Sequence, residues 1–240
     1  MLFLPLVSFA VALGRVAVTK ASSITAVNNC GDTVWLHEVY GSFSQVYAVN
    51  AGANAVLNQP PDGTGVAVNV YTGCSDNTAT SCTTGGVNNN GGASPFIRAE
   101  ATFTGGSVNY DISPLYGYNR AIKINTGDAN CPGVQCTISS GCPVPGPDGS
   151  CYGPCCASAD GCLGTNNCPY DSTPAYQKQM GGKGTNSGFY HDACPNAYSF
   201  PDDDCANYGD SPDAGCGDNT DLTITVCPPG GSSNINLCSS

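Results

Sequence analysis

Sixteen cysteines in 240 residues are the side chains whose chemistry is legible first. They stand at Cys30, Cys74, Cys82, Cys131, Cys136, Cys142, Cys151, Cys155, Cys156, Cys162, Cys168, Cys194, Cys205, Cys216, Cys227 and Cys238. The count is even, and all but three lie from Cys131 onward. Only two histidines, His37 and His191, accompany them, and no pair of CxxC knuckles stands at zinc-finger spacing. The chemistry is therefore disulfide formation in an oxidising compartment, not zinc binding. A second chemistry lies in the carboxylates. Glu100 and Asp111 flank Thr104-Gly105-Gly106, and a hairpin turning there brings them onto neighbouring antiparallel strands. Two carboxylates held close repel, which raises one apparent pKa. A protonated carboxyl beside a second carboxylate is what glycoside hydrolysis needs. The plainer roles are a structural one for Asp111, bonding loop amides at its strand end, and an ion pair of Glu100 with Arg98 or Arg120. Asp202-Asp203-Asp204 is a charge run of the solvated kind, and no spaced calcium-loop motif is present. No metal and no cofactor are expected. His37 and His191 lack a Ser or Cys partner motif and read as structural, and Trp35 reads as core.

The elements that must hold these residues are strands. Short β-branched and aromatic runs recur between Gly/Asn clusters: 23–27, 33–40, 45–49, 66–71, 96–103, 107–112, 121–124 and 222–226. Val66–Val70 and Leu222–Val226 alternate with the period of a half-buried strand. Many short strands with Gly/Asn turns indicate an all-β sandwich. Asn88–Gly92 reads as a flexible tip. From Cys131 to Cys168 apolar periodicity is nearly lost, so that stretch depends on its bridges. A short helix is expected over Pro174–Met180.

Leu2–Leu13 is an apolar run too short to span a bilayer and has the character of a secretory leader. Cleavage is placed after Ala21. No later stretch is apolar enough for a membrane span. The net charge is −11, and it falls by two more if Arg15 and Lys20 leave with the leader. Such a balance excludes nucleic acid, heparin and anionic lipid, which need a basic footprint. It permits a neutral polysaccharide.

Several blocks match one family. They are Ile24-Thr25-Ala26-Val27-Asn28-Asn29-Cys30 with Thr33-Val34-Trp35, then Ala99-Glu100, Tyr110-Asp111-Ile112-Ser113 and Gly117-Tyr118-Asn119. The back half adds the segment from Ala193 to Asp203 (ACPNAYSFPDD) and Val226-Cys227-Pro228. Together they span Ile24 to Pro228, and the chain resembles the thaumatin-like proteins, the pathogenesis-related class-5 family. The resemblance implies a flattened β-sandwich of about eleven strands, a disulfide-rich loop lobe and a small hairpin lobe, with an acidic cleft between core and loop lobe. On that basis residues 1–21 are the leader and 22–130 the sandwich, which also takes the last strand at 219–228. Residues 131–200 are the loop lobe and 229–240 a tail.

The resemblance also implies pairings: Cys30–Cys227, Cys74–Cys82, Cys131–Cys216, Cys136–Cys194, Cys142–Cys151, Cys155–Cys162 and Cys156–Cys168. One family bridge after Cys82 is missing, and the additional Cys205 and Cys238 are expected to pair. The family's cleft is lined by one Arg, one Glu and three Asp. Glu100 matches the Glu, Asp111 the first Asp and Asp203 the last, with Asp202 or Asp204 taking that role if the loop shifts. Tyr116 replaces the second Asp, and Tyr71 stands where the Arg is sought. The cleft would thus lose a carboxylate and a cation and gain two aromatic platforms for sugar faces. The expectation is a secreted monomer binding β-1,3-glucan or a related cell-wall glycan in defence or host–microbe contact. Two alternatives stay open: an interaction protein without a glycan role, as effector or enzyme inhibitor, and a weak endo-β-1,3-glucanase using Glu100 and Asp111.

Overall fold

The computed structural model describes residues 23–89, 94–156, 158–159, 184–200, 203, 212–217 and 221–238. Among them are β1 (Ile24–Asn28), β2 (Val34–Tyr40), β3 (Phe43–Val49), β4 (Asn54–Leu57), β5 (Gly65–Thr72) and β6 (Ile97–Thr104). Then come β7 (Ser107–Ser113), β8 (Ile122–Thr126), β9 (Val134–Cys136), the helix α1 (Ser187–Ala193), β10 (Ala214–Cys216) and β11 (Leu222–Val226). They form two sheets, in the orders β4-β1-β11-β8-β9 and β10-β7-β6-β5-β2-β3. The first and last strands pair in parallel, Ile24 opposite Leu222 through Asn28 opposite Val226. The all-β sandwich expected from the alternation is the fold observed.

The core forms because each strand sends every second residue inward. Ile24, Ile122, Ile124, Leu222 and Ile224 from one sheet meet Leu36, Val68, Ile97, Ala99, Tyr110 and Ile112 from the other, all buried. That alternation fixes the opposite face of the six-stranded sheet. Residues 98, 100, 102 and 104 of β6, and 109, 111 and 113 of β7, point away from the core.

Three strands had no counterpart in the sequence pattern: β4, β9 and β10. They have three or four residues each, too few to show a period. They form because paired edges and bridges hold them: β9 carries Cys136, bridged to Cys194, and β10 carries Cys216, bridged to Cys131. The bridges Cys30–Cys227, Cys74–Cys82 and Cys142–Cys151 also form as expected. Cys155, Cys156 and Cys238 are disulfide-bonded too. Their expected partners Cys162, Cys168 and Cys205 lie outside the described residues, as do the leader, Asp202, Asp204, the helix expected at 174–180 and most of the tip at 88–92. No described helix is long and apolar enough to cross a membrane.

Trp35 departs from expectation. It packs, partly buried, against a second and smaller apolar cluster of Tyr71, Ala79 and Phe96 under the Cys74–Cys82 hairpin, not in the principal core. It lies on the outward face of β2, and among the described residues that hairpin cluster covers it.

Candidate functional site

The outward face of the six-stranded sheet holds an open groove of about 850 Å³. Strand register builds its floor. Glu100 on β6 lies directly opposite Asp111 on β7, and Ala67 on β5 lies opposite Glu100 on the other side. Ala214 pairs with Tyr110, so Asp213, one residue earlier, comes beside Asp111. Glu100, Asp111 and Asp213 thus form a row of three carboxylates across three strands. All three line the groove, with Asn109 and Thr102 on its floor and Tyr40 and Tyr198 at its sides. The β6–β7 turn permits this register because Gly105 and Gly106 both take positive φ, 57° and 91°, the conformation a two-residue hairpin turn demands.

Asp111 carries the electrostatic cost of the row. Its Oδ1 is buried and has no hydrogen-bond partner among the described residues. Burial first, then the charges of Glu100 and Asp213, push its carboxyl well above the usual carboxylate range, and Arg98 opposes them. Desolvation and like charge both disfavour the anion, so Asp111 keeps its proton to higher pH than an ordinary aspartate. The sequence reading had foreseen the pair but not the third acid. Asp213 sits in a cysteine-rich turn without a strand pattern of its own, and only pairing of β10 with β7 delivers it.

The lost cation is a correction. Tyr71 does not leave the acids without a positive charge, because Arg98, outside the groove's lining, pairs with Glu100. Arg98 precedes Glu100 by two residues and shares its face of β6. Its Nη1 donates to Glu100 Oε1 at 3.4 Å, and its Nε donates to Asn69 Oδ1 at 2.7 Å. Two-residue spacing on a strand was the signal that could have found it. Of the two plainer partners weighed for Glu100, Arg98 is the one present. Arg120 instead binds Asp32 and Asp148, at 3.1 Å and 2.9 Å.

Neither tyrosine lines the groove as an open platform. Tyr71 is 2 % exposed, and its ring packs edge-on against Phe96 at 5.5 Å. Its apolar body is spent in the hairpin cluster. Tyr116 stacks on Phe96 at 4.9 Å and holds the Arg98 guanidinium 4.4 Å from its ring centroid. Its ring therefore supports the cation. Asp203 does not join the row. It is 2 % exposed, and its Oδ2 accepts the Ser199 N–H at 3.0 Å and lies 3.9 Å from His191 Nδ1. It braces the turn that presents Tyr198, whose N–H donates to Ile112 O at 2.9 Å.

Among the described residues, the cluster with metal-ligand side chains is Asp128, Cys131 and Cys216. Both sulfurs there are bonded to each other, so neither is a thiolate ligand. What the groove offers is hydrogen bonding from three carboxyl groups and from amide and hydroxyl side chains, with aromatic flanks and with Arg98 paired to Glu100 from outside the lining. That inventory suits a polyhydroxylated neutral ligand.

A family model described as Thaumatin family matches residues 28–228. A thaumatin-like protein of Actinidia deliciosa is 28% identical over 201 residues, covering 77% of this chain and 82% of its own length. Pathogenesis-related thaumatin-like protein 3.5 of Cryptomeria japonica is 29% identical over 234 residues, covering 87% and 90%. Among solved structures, the thaumatin-like xylanase inhibitor TLXI is 17% identical, with a TM-score of 0.48, covering 86% of this chain and 100% of its own.

Proposed function

This chain belongs to the thaumatin family, and on that footing we propose that its groove binds a β-1,3-glucan or a related neutral cell-wall polysaccharide. It does so outside the cell, as a monomer, in defence or host–microbe contact. The observation that carries the reading is the register-built row of Glu100, Asp111 and Asp213 in an open groove, with Arg98 paired to Glu100 behind it. Sugar hydroxyls both donate and accept. A row of carboxyl groups flanked by Asn109 and Thr102 offers both kinds of partner along one line, and Tyr40 and Tyr198 offer apolar faces to ring C–H groups. The apolar leader and the disulfide density support an extracellular site of action.

Calorimetric titration with a soluble β-1,3-glucan tests this. Glu100→Gln keeps the shape and removes the charge, so affinity should weaken roughly three- to tenfold, one hydrogen bond's worth of about 0.7–1.4 kcal/mol. Unchanged binding in both Glu100→Gln and Asp111→Asn would move the site out of the groove.

A second reading, slow hydrolysis of the same polymer, is favoured by one observation. Asp111, whose buried carboxyl gives up its proton less readily than an ordinary aspartate's, lies directly opposite Glu100, so the donor of an acid/base pair would be Asp111 and the partner carboxylate Glu100. Release of reducing ends decides it. Turnover should vanish in Asp111→Asn, and undiminished turnover there would remove Asp111 as the acid.

A further inference from the structure

A line of polar side chains leads from the edge of the groove across the same sheet face. Register sets His37, Asn69, Arg98 and Ser113 side by side on β2, β5, β6 and β7. This row lies two residues along from the carboxylate row. From Arg98 the contacts run through Asn69 to the Tyr71 hydroxyl at 3.3 Å, to His37 Nδ1 at 2.9 Å, and from His37 Nε2 to Ser44 Oγ at 2.8 Å. We propose that Ser44, His37, Tyr71 and Asn69 are a positioning relay that fixes the Arg98 guanidinium beside Glu100, and that protonation of His37 breaks the relay and weakens glycan binding. The second half rests on the glycan reading given above.

The relay has one consistent direction. A guanidinium only donates, so Asn69 must turn its carbonyl to Arg98 and its amide N–H to Tyr71. The Tyr71 oxygen accepts that bond and has one proton of its own to give. It gives it to His37 Nδ1, which leaves the imidazole neutral with its proton on Nε2, donating to Ser44 Oγ. A second proton on Nδ1 makes that link donor against donor. The Tyr71 hydroxyl proton must then turn into a buried apolar cluster, where an unmet donor is costly. The new imidazolium also faces Arg98. Arg98 from β6 and Tyr71 from β5 are the charged and titratable groups that face His37. Its other neighbours, Val46 and Ser44 on β3 and Asn69 on β5, are neutral.

The titration behaviour agrees. Burial, then the Arg98 cation, hold His37 below the ordinary imidazole value. Burial pushes the Tyr71 hydroxyl up to about 12, so it remains a donor. The relay is therefore intact at neutral pH and breaks as pH falls below the ordinary histidine range.

Nuclear magnetic resonance of the full, oxidised chain reads the relay without any ligand. In the wild type the Arg98 Nε–H resonance should shift with the same midpoint as the His37 ring protons. That step should vanish in His37→Gln and in Asn69→Leu, while any step from Asp111 remains. In a second arm, soluble β-1,3-glucan is titrated at about pH 7 and about pH 4.5. The acid weakening should be smaller by about threefold or more in His37→Gln than in the wild type. An Arg98 resonance that ignores His37 in the wild type overturns the relay, whether or not glucan binds. A resonance step with equal acid weakening in both proteins overturns the link to binding. The resonance step with no glucan binding by the wild type at neutral pH sinks the glycan reading and leaves the positioning role in place.

Discussion

Asp111 is held at a cost to stability, and the sign of that cost follows from its shift. Its folded-state pKa is raised above the ordinary value of 3.8, so between 3.8 and the raised value the folded chain holds a proton that the unfolded chain has lost. Stability contributed by this group therefore falls as pH rises through that window, and the cost is complete once pH has passed the raised value. Asp111→Asn removes the charge and should raise the melting temperature at pH 7 by about 2–4 °C per kcal/mol relieved. Near pH 3, where both states are protonated, the difference should disappear. A variant that melts lower at pH 7, or gains equally at both pH values, would contradict the charge argument. The same substitution should weaken ligand binding, the trade expected where a site is built from strained electrostatics.

The hairpin lobe meets the sheet at the Thr72–Thr84 bridge and, beside it, at the ring of Tyr71. Gly85 has φ +72°, and a Cβ there would lie 2.1 Å from Tyr71 Cδ1. Glycine is required on both counts: the left-handed backbone and the close approach of the ring. Gly85→Ala should destabilise the protein by about 2–4 kcal/mol through overpacking and backbone strain. Because Tyr71 is displaced, the variant should also lose the coupling between His37 and Arg98. Chemical denaturation measures the first effect, and a loss under about 0.5 kcal/mol would show that the hairpin accommodates the methyl freely. The β6–β7 hairpin works differently. A Cβ at Gly105 would meet nothing within 4 Å, both turn glycines have positive φ, and their contribution is the register that sets Glu100 against Asp111.

Across the whole molecule, bridges do what apolar burial cannot. Residues 131–156 contribute β9 and isolated bridges at Tyr118–Cys151 and Pro145–Cys151, and few of their side chains reach the principal core. Mild reduction should accelerate hydrogen exchange there before the sandwich strands loosen. Equal protection before and after reduction would refute this. The Cys30–Cys227 bridge spans a sequence separation of 197 and pins the first strand beside the last. Replacing both cysteines by alanine should cost about 2–5 kcal/mol and fray the parallel β1–β11 pair first. Alkylation of native protein without reductant should label no thiol, consistent with the absence of free cysteines among the described residues.

The alternation of Val66–Val70 and Leu222–Val226 determined that the chain is a sandwich, because a two-residue period leaves one buried face whatever the neighbours are. The cysteine count determined the bridged character of the second half, and Glu100, Gly105-Gly106 and Asp111 determined the hairpin and its opposed acids, since all of these are local along the chain. Tertiary structure alone decided which residues share the groove. Asp213 enters because a three-residue strand pairs with β7 from a hundred residues away, and no local pattern encodes that register. Tyr71 and Tyr116 turn inward because the Cys74–Cys82 hairpin and Phe96 cover them, which depends on a lobe folding back over the sheet. Arg98 was visible at two residues from Glu100, but its role needed Asn69 and Tyr116, which reach it from β5 and from the loop after β7. Strand period is written in one segment, whereas a site is written in the distances between segments, and those are fixed only when the sheets close.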